Sequence, residues 1–455
     1  MPELPADAAL TPGPKVAAQC DVLVIGAGPA GCAAAITLAR SGRRVLVLEK
    51  GRHPRFHIGE SLLPMSMPLL QQLGVLEAVE QLGVIKRGAD FPTGTPGGYQ
   101  VFRFDRCLHP TWTHAVQVPR AGFDQLLCVA TRAAGAQVLE GVEARAVRFA
   151  GNDAAPVTVD ALDAAGQPTR YAARYLLDCS GRDTLLGNQL RLKRRNRRHQ
   201  SAALYAHYEG VARREGEDAG NISIYRLADG WAWLIPLPDG HTSIGIVCGP
   251  DTLRQRRGDA EAFLRRQCAG VPGLAERMAG ARLAGHLQAT GNYSYDCRRY
   301  AGPGWVTAGD ASAFLDPIFS SGVHMALVTG IEAAQLAHEV LAQPEREAPL
   351  QRGYEARHRA ALRRVSWFIL RFNAPVMRRL WAKPRNNWQL EQAIVSMLAG
   401  DLHRDGGIHW RLRLFKVIYF IACLGHLPDA LAGRWQRWRR SREEFAGDPA
   451  APGPA

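Results

Sequence analysis

The 455-residue sequence predicts an α/β fold in three parts: a parallel βαβ unit completed late in the chain, an antiparallel β domain within it, and a helical C-terminal region. Three observations predict it. Asp21–Ile25 and Arg44–Leu48 are short apolar runs joined by a glycine-rich turn and an alanine-rich, helix-favouring stretch. Ala202–Tyr208, Ile222–Arg226, Trp231–Pro236 and Thr242–Val247 are strand-like runs, most of them separated by glycine-containing turns. After Gly330 the pattern is helical, with aromatic residues recurring from Trp367 to Phe420.

Residues 1–19 are rich in Pro and Ala and lack the basic start and apolar run of a secretory signal, so they are expected to be disordered. The first strand then meets Gly26-Ala-Gly-Pro-Ala-Gly31. Gly26 permits the tight turn, Gly28 lets backbone approach a pyrophosphate, and Gly31 lets helix and strand pack closely. The helix that opens with Pro29 and Ala30 aims its N-terminus at the phosphate charge. Glu49 ends the second strand, where a carboxylate accepts from ribose hydroxyls, and Lys50 follows it. Strand, turn, helix, strand and acid in this order indicate a dinucleotide, NAD or FAD.

The far end of the chain decides between them. Trp305-Val-Thr-Ala-Gly309-Asp310 is a strand-like run ending in Gly-Asp, and a helical stretch, Val323–Leu341, follows it. With the N-terminal motif this resembles the FAD-containing hydroxylase and halogenase superfamily, whose cofactor domain is glutathione-reductase-like. The resemblance implies that Gly309 and Asp310 meet the FAD ribityl or pyrophosphate region. Val118-Pro-Arg120-x-x-Phe123-Asp124 is similar to the superfamily segment whose arginine lies near the flavin; the alternative for Arg120 is a surface charge at a helix start.

Three further motifs narrow the chemistry. Trp231-Ala-Trp233-Leu-Ile235-Pro236 reads WxWxIP, Phe314-Leu-Asp-Pro317-Ile-Phe-Ser320-Ser321-Gly322 reads FxxPxxSxG, and Lys86-Arg-Gly88-Ala-Asp-Phe91 reads KxGxxF. Alternate strand residues share a face, so Trp231 and Trp233 form an apolar wall. A lysine in an apolar channel loses hydration and its pKa falls; the alternative for Lys86 is a surface lysine beside Arg87. Pro317–Gly322 turns into a helix, where the N–H groups of Ser321 and Gly322 make a small anion nest; an ordinary start capped by Ser320 or Ser321 is compatible with this.

Together, and with Gly59-Glu60-Ser61 and Asp178-x-Ser180-Gly181-Arg182, these motifs resemble the flavin-dependent halogenases over Asp21 to Leu341. The resemblance implies a set of roles. Trp231 and Trp233 keep the substrate from the flavin, Lys86 carries or orients hypohalous acid, and Ser320 belongs to the catalytic set. Halide lies near Ser321 and Gly322, and FAD against Pro317 and Gly322. It implies reduced FAD supplied in trans by a separate NAD(P)H–flavin reductase, with O2 as co-substrate, and no second GxGxxG occurs for a nicotinamide cofactor. One position departs from the tryptophan-type enzymes, which carry a glutamate just before the motif serine: here it is Phe319. A phenol or pyrrole, which carries its own activating group, is therefore expected rather than free tryptophan. The substrate base is unassigned among His109, His114 and His207. Rival readings are a flavin monooxygenase or oxidoreductase on the same fold and a non-catalytic, membrane-associated flavin-binding subunit.

The expected parts are the cofactor domain at 20–190 and 291–340, with 85–115 serving the substrate side, and the antiparallel substrate domain at 191–290. The helical region spans 341–445 and a disordered tail 446–455. The net charge of +14 suits a solvated Arg-rich surface, a membrane or an acidic partner, and nucleic acid is not expected. The basic run Leu192–His199 reads as a loop, or as a docking site for an acidic acyl or peptidyl carrier protein. Nine cysteines without a CxxC pair suggest a reducing cytoplasm. No run reaches the roughly 18 apolar residues of a spanning helix. Trp410–Leu427 mixes apolar residues with Arg411, Arg413 and Lys416, so it packs on the body or lies on the inner face of a membrane.

Overall fold

The computed structural model describes residues 16–425 apart from 94–97, 150–156, 197–200, 257, 292–293, 383–385 and 405. Its main sheet runs Ala301–Gly302, Trp305–Thr307, Pro168–Asp178, Val16–Ile25, Val45–Glu49, Gln137–Glu140. All neighbours but the first pair are parallel. The strands are apolar because both faces are covered: Val22, Val24 and Val47 lie at most 1 % exposed on one face, and Leu23 and Leu46 on the other. Val157–Leu162 and Pro168–Asp178 form the hairpin over 151–170, whose first residues lie outside the described set.

The first strand begins at Val16, so residues 16–19 belong to the sheet and are not part of a disordered arm. Ala18–Cys20 pair with Tyr171–Ala173, which extends the strand at the end away from the dinucleotide turn.

Helix Pro29–Arg40 crosses helix Ser321–Ala342 closely. A Cβ on Gly330 would lie 2.3 Å from the Ala30 carbonyl oxygen, so small residues set this crossing. The long helix starts two residues before the expected Val323.

The second sheet runs Arg282–Gly291, Ala202–Glu209, Thr242–Cys248, Gly230–Pro236, Ile222–Leu227, Gly88–Pro92, Tyr99–Arg103. It is antiparallel except where Ile222 and Ser223 pair in parallel with Ala89 and Asp90. Those two strands are far apart in sequence, so no hairpin dictates their direction. Leu204, Ala206 and Tyr208 face helix Ala260–Ala269 on one side. Ala203, Tyr205, Trp231 and Trp233 face the C-terminal helices on the other.

Lys193–Arg195 is a strand on Tyr295–Cys297, not a loop; Arg197 and Arg198 lie outside the described residues. The C-terminal helices are Glu347–Ile369, Pro375–Ala382, Leu390–Leu398 and Ile408–Gly425. Phe368, Phe372, Trp381 and Phe415 join the same core as the tryptophan pair. The tail at 446–455 lies outside the described residues.

Candidate active site

The three motif glycines do different work. Gly26 has φ +97°, and a Cβ there would lie 2.4 Å from the Cys179 carbonyl oxygen. A Cβ on Gly31 would lie 1.9 Å from the Gly26 oxygen. Gly28 meets nothing within 4 Å, so open space lies beside it where the helix begins without a side-chain cap. Open space against unsatisfied N–H groups at a helix start fits a pyrophosphate.

Glu49 is buried; its Oε2 accepts from Ala27 N and its Oε1 from Gly51 N, both at 2.8 Å. These bonds lock the carboxylate at the strand end and leave lone-pair sites for a ribose. Lys50 is more exposed and pairs with Asp183. Gly309 holds φ +61° and donates to Thr329 Oγ1 at 2.7 Å. Burial raises the Asp310 carboxyl to about 6, against the pull of Arg182 and Arg120.

Arg120 is not a surface charge. It is 5 % exposed, its Nε and Nη2 reach Asp124 at 2.8 and 3.0 Å, and its Nη1 donates to the Ile58 carbonyl at 2.6 Å. The guanidinium thus clamps the loop that carries Gly59, Glu60 and Ser61.

Lys86 ends the strand Val84–Lys86, which pairs with Ala115–Gln117. It is 1 % exposed, so it is no surface lysine. Its Nζ donates to Ser61 Oγ at 2.9 Å and to the Leu62 carbonyl at 3.0 Å, and lies 5.3 Å from the centre of the Phe104 ring. Burial alone lowers its pKa to about 7.

Trp231 and Trp233 share one face with ring centroids 5.5 Å apart. Trp233 Nε1 donates to Ser243 Oγ at 3.2 Å. A Cβ on Gly245 would lie 2.2 Å from the Trp233 ring, so only glycine lets this indole lie against the neighbouring strand.

Asp316 caps the Pro317–Phe319 turn through Ile318 N at 3.1 Å. Ser320 sits in the left-handed region (φ 56°), and the long helix begins at Ser321 with no side-chain cap. The alternative of a Ser320 or Ser321 side-chain cap is therefore not met, and Gly322 faces open space. Phe319 is buried; it stacks on Trp381 at 5.9 Å and meets Phe372 edge-on at 6.1 Å.

The candidate bases separate. His109 bonds the Gly406 carbonyl at 2.8 Å and His114 bonds Glu80 at 3.2 Å. His207 lies on the tryptophan face of its strand, with Nε2 2.6 Å from Oε1 of Glu60, a fully buried carboxylate whose other oxygen has no hydrogen-bond partner among the described residues. The Glu60–His207 pair is therefore next in sequence to the Ser61–Lys86 bond. Sequence reasoning missed this pairing and the role of Trp381 and Phe372, because both join residues more than 50 positions apart. Nearby, Arg182, Asp183, Lys193, Arg195, Gly291 and Tyr295 line a cavity of about 270 Å³. It lies where Tyr295 donates to the Asp310 carbonyl at 2.7 Å, and not at Lys86.

One scaffold thus carries open space at a helix start beside Gly28, a buried lysine amine, a paired-tryptophan face and a second helix start without a side-chain cap. Residues 19–366 match the FAD binding domain family. Over 325 residues the chain is 30 % identical to a 1H-pyrrole-2-carbonyl-[peptidyl-carrier protein] brominase from Pseudoalteromonas luteoviolacea (strain 2ta16), covering 70 % of this chain and 78 % of that one. It is 33 % identical over 330 residues to a tryptophan 2-halogenase from Chondromyces crocatus, covering 70 % and 61 %. The solved structure of the myxobacterial chondrochloren halogenase superposes with a TM-score of 0.72 at 30 % identity, over 85 % of this chain and 91 % of that one. The chain belongs to the flavin-dependent halogenase family, with FAD as cofactor. It spans 61–67 % of the length of its matched relatives from Armillaria, Chondromyces, Metacordyceps and Penicillium.

Proposed function

We propose that this chain chlorinates or brominates an electron-rich aromatic, a phenol or a pyrrole, using O2, halide and reduced FAD delivered by a separate NAD(P)H–flavin reductase in a reducing cytoplasm. The observation that carries the reading is Lys86: a buried amine close to neutrality, held at Nζ by two acceptors. When bound, reduced FAD supplies with O2 the two-electron oxidation of halide to hypohalous acid. The protein's share is placement and exclusion of water. The open N–H groups at Ser321 and Gly322 hold the halide, with Ser320 setting the turn. Gly26, Gly28, Pro29, Ala30, Gly31, Glu49, Lys50, Arg120, Gly309, Asp310, Pro317 and Gly322 form the FAD cradle. Trp231 and Trp233 separate it from the substrate.

An ammonium offers three donors, and two are used by Ser61 and Leu62. Protonated, Lys86 turns its third to the hypohalous acid; neutral, it offers a lone pair to the halogen. In either form the ring carbon gains halogen, the ring loses a proton, and the oxygen leaves as water. His207, backed by Glu60, is the base that we assign to that proton.

Phe319, boxed by Trp381 and Phe372, supports a substrate that needs no carboxylate at that position. The tryptophan 2-halogenase relative makes tryptophan a necessary comparison in any panel. Arg194 and Arg195 lie exposed on their strand and support docking of an acidic acyl or peptidyl carrier protein.

The test is a mass-spectrometric assay with FAD, a generic flavin reductase, NADH, O2 and chloride or bromide. The panel holds free and carrier-bound phenols and pyrroles, with tryptophan. A halogen mass shift that Lys86→Ala abolishes is expected; hydroxylated product instead overturns the reading. Reversing Arg194 to Glu should slow only the carrier-bound substrates.

A further inference from the structure

Helix Ile408–Gly425 buries one face and leaves the other largely apolar, with the exposed Arg413 set among its apolar side chains. Ile408, Leu412, Phe415 and Tyr419 enter the core. Trp410, Val417, Phe420, Ile421 and Leu424 point outward at 47–63 % exposure. Their helical spacing makes one stripe, where a helix on a water-facing surface carries charge. Trp388 is 65 % exposed nearby, tied to the helix by the Arg411 bond to its carbonyl at 2.9 Å.

The rim of this stripe is cationic. Arg371 lies 6.0 Å from the Phe420 ring centre and 4.6 Å from that of Trp367. Lys416 lies 5.2 Å from the Trp367 ring, and Arg411 4.4 Å from the Trp410 ring. No Asp or Glu occurs between Gly406 and Pro428. Burial and the neighbouring Arg371, Arg364 and Arg413 pull the Lys416 pKa down, as expected in a field of one sign.

We propose that this face docks on a lipid bilayer of anionic headgroups, with the helix lying in the interface plane. Charge decides among the occupants. The chain's own following stretch, 426–455, has five arginines against four acids, so it brings no net negative charge to the rim. A second copy would bring the same cations against themselves. An anionic bilayer offers acyl chains to the stripe and negative charge to the rim, and tryptophans suit its interface. Among the described residues no helix is long and apolar enough to cross a membrane, so contact is peripheral. The helix also backs the core that holds Trp381 and Phe319, which places the bilayer behind the substrate wall. The docking stands whether or not the proposed reaction does.

The test is co-sedimentation of the full chain with phosphatidylglycerol–phosphatidylcholine vesicles and with phosphatidylcholine alone. Binding to the anionic vesicles only, weakened by salt, is expected. Ile421→Asp with Leu424→Asp, and separately Arg413→Glu with Lys416→Glu, should each lower it about tenfold or more while FAD retention is unchanged. Absence of binding to anionic vesicles, or equal binding to both kinds, overturns the proposal. So does a dimer that the Asp pair dissociates, which would make a second copy the occupant. Binding that emerges only when the chain is cut after His426 also overturns it, because the chain's own end would then cover the face.

Discussion

Burial of the Lys86 amine has a consequence for stability as well as for chemistry. From pH about 7 to its usual 10.5 the unfolded chain carries a proton on this group and the folded chain does not. Stability from this residue therefore rises with pH across that window. Lys86→Met should flatten the slope, read by urea unfolding at a series of pH values; an unchanged slope would mean that the amine stays charged when folded. The glycines Gly28 and Gly31 separate in a similar way. Gly31→Ala drives a methyl into backbone and should prevent folding. Gly28→Val enters open space, so the apoprotein should keep its melting temperature and bind FAD at least about tenfold more weakly, by fluorescence titration. Loss of folding in both variants would make the Gly28 space a packing requirement.

At the scale of elements, the tryptophan wall depends on the strand beside it. Gly230–Pro236 and Thr242–Cys248 pair with Trp233 opposite Gly245. Gly245→Ala should push the indole off its strand at a cost of about 1–3 kcal/mol. The displaced wall should also lower the yield of halogenated product per NADH consumed. A normal yield at reduced stability would show that Trp233 packs the core without guarding the flavin. The same pairing explains the motif: WxWxIP spans a strand that is buried from Trp231 to Pro236, so side chains of alternate sign were never available there.

Across the whole molecule, three distant segments converge on the core that holds the tryptophan pair: strand Gly88–Pro92, strand Gly230–Pro236 and helix Pro375–Ala382. Phe91 meets Trp381 at 5.1 Å, and Trp381 stacks on Phe319. Trp381→Ala should cost about 3–5 kcal/mol and widen the box around Phe319, so that bulkier phenols or pyrroles gain kcat/KM relative to small ones. A uniform loss across substrates would mean that the C-terminal helices only support the core.

The α/β class was legible in the sequence, because a parallel buried strand, a glycine turn and an alanine-rich helix each leave a local pattern. The glycine turn Gly26–Gly31 and the Trp231–Trp233 pair were legible for the same reason: each forms through backbone conformation and neighbours two to five positions away. Other features came only with the tertiary structure. The state of Lys86, the commitment of Arg120 to Asp124 and Ile58, and the pairing of Glu60 with His207 depend on burial, which no local pattern encodes. The parallel junction between Ile222 and Ala89, and the apolar outer face of the last described helix, depend on which surfaces the rest of the fold leaves for them to meet.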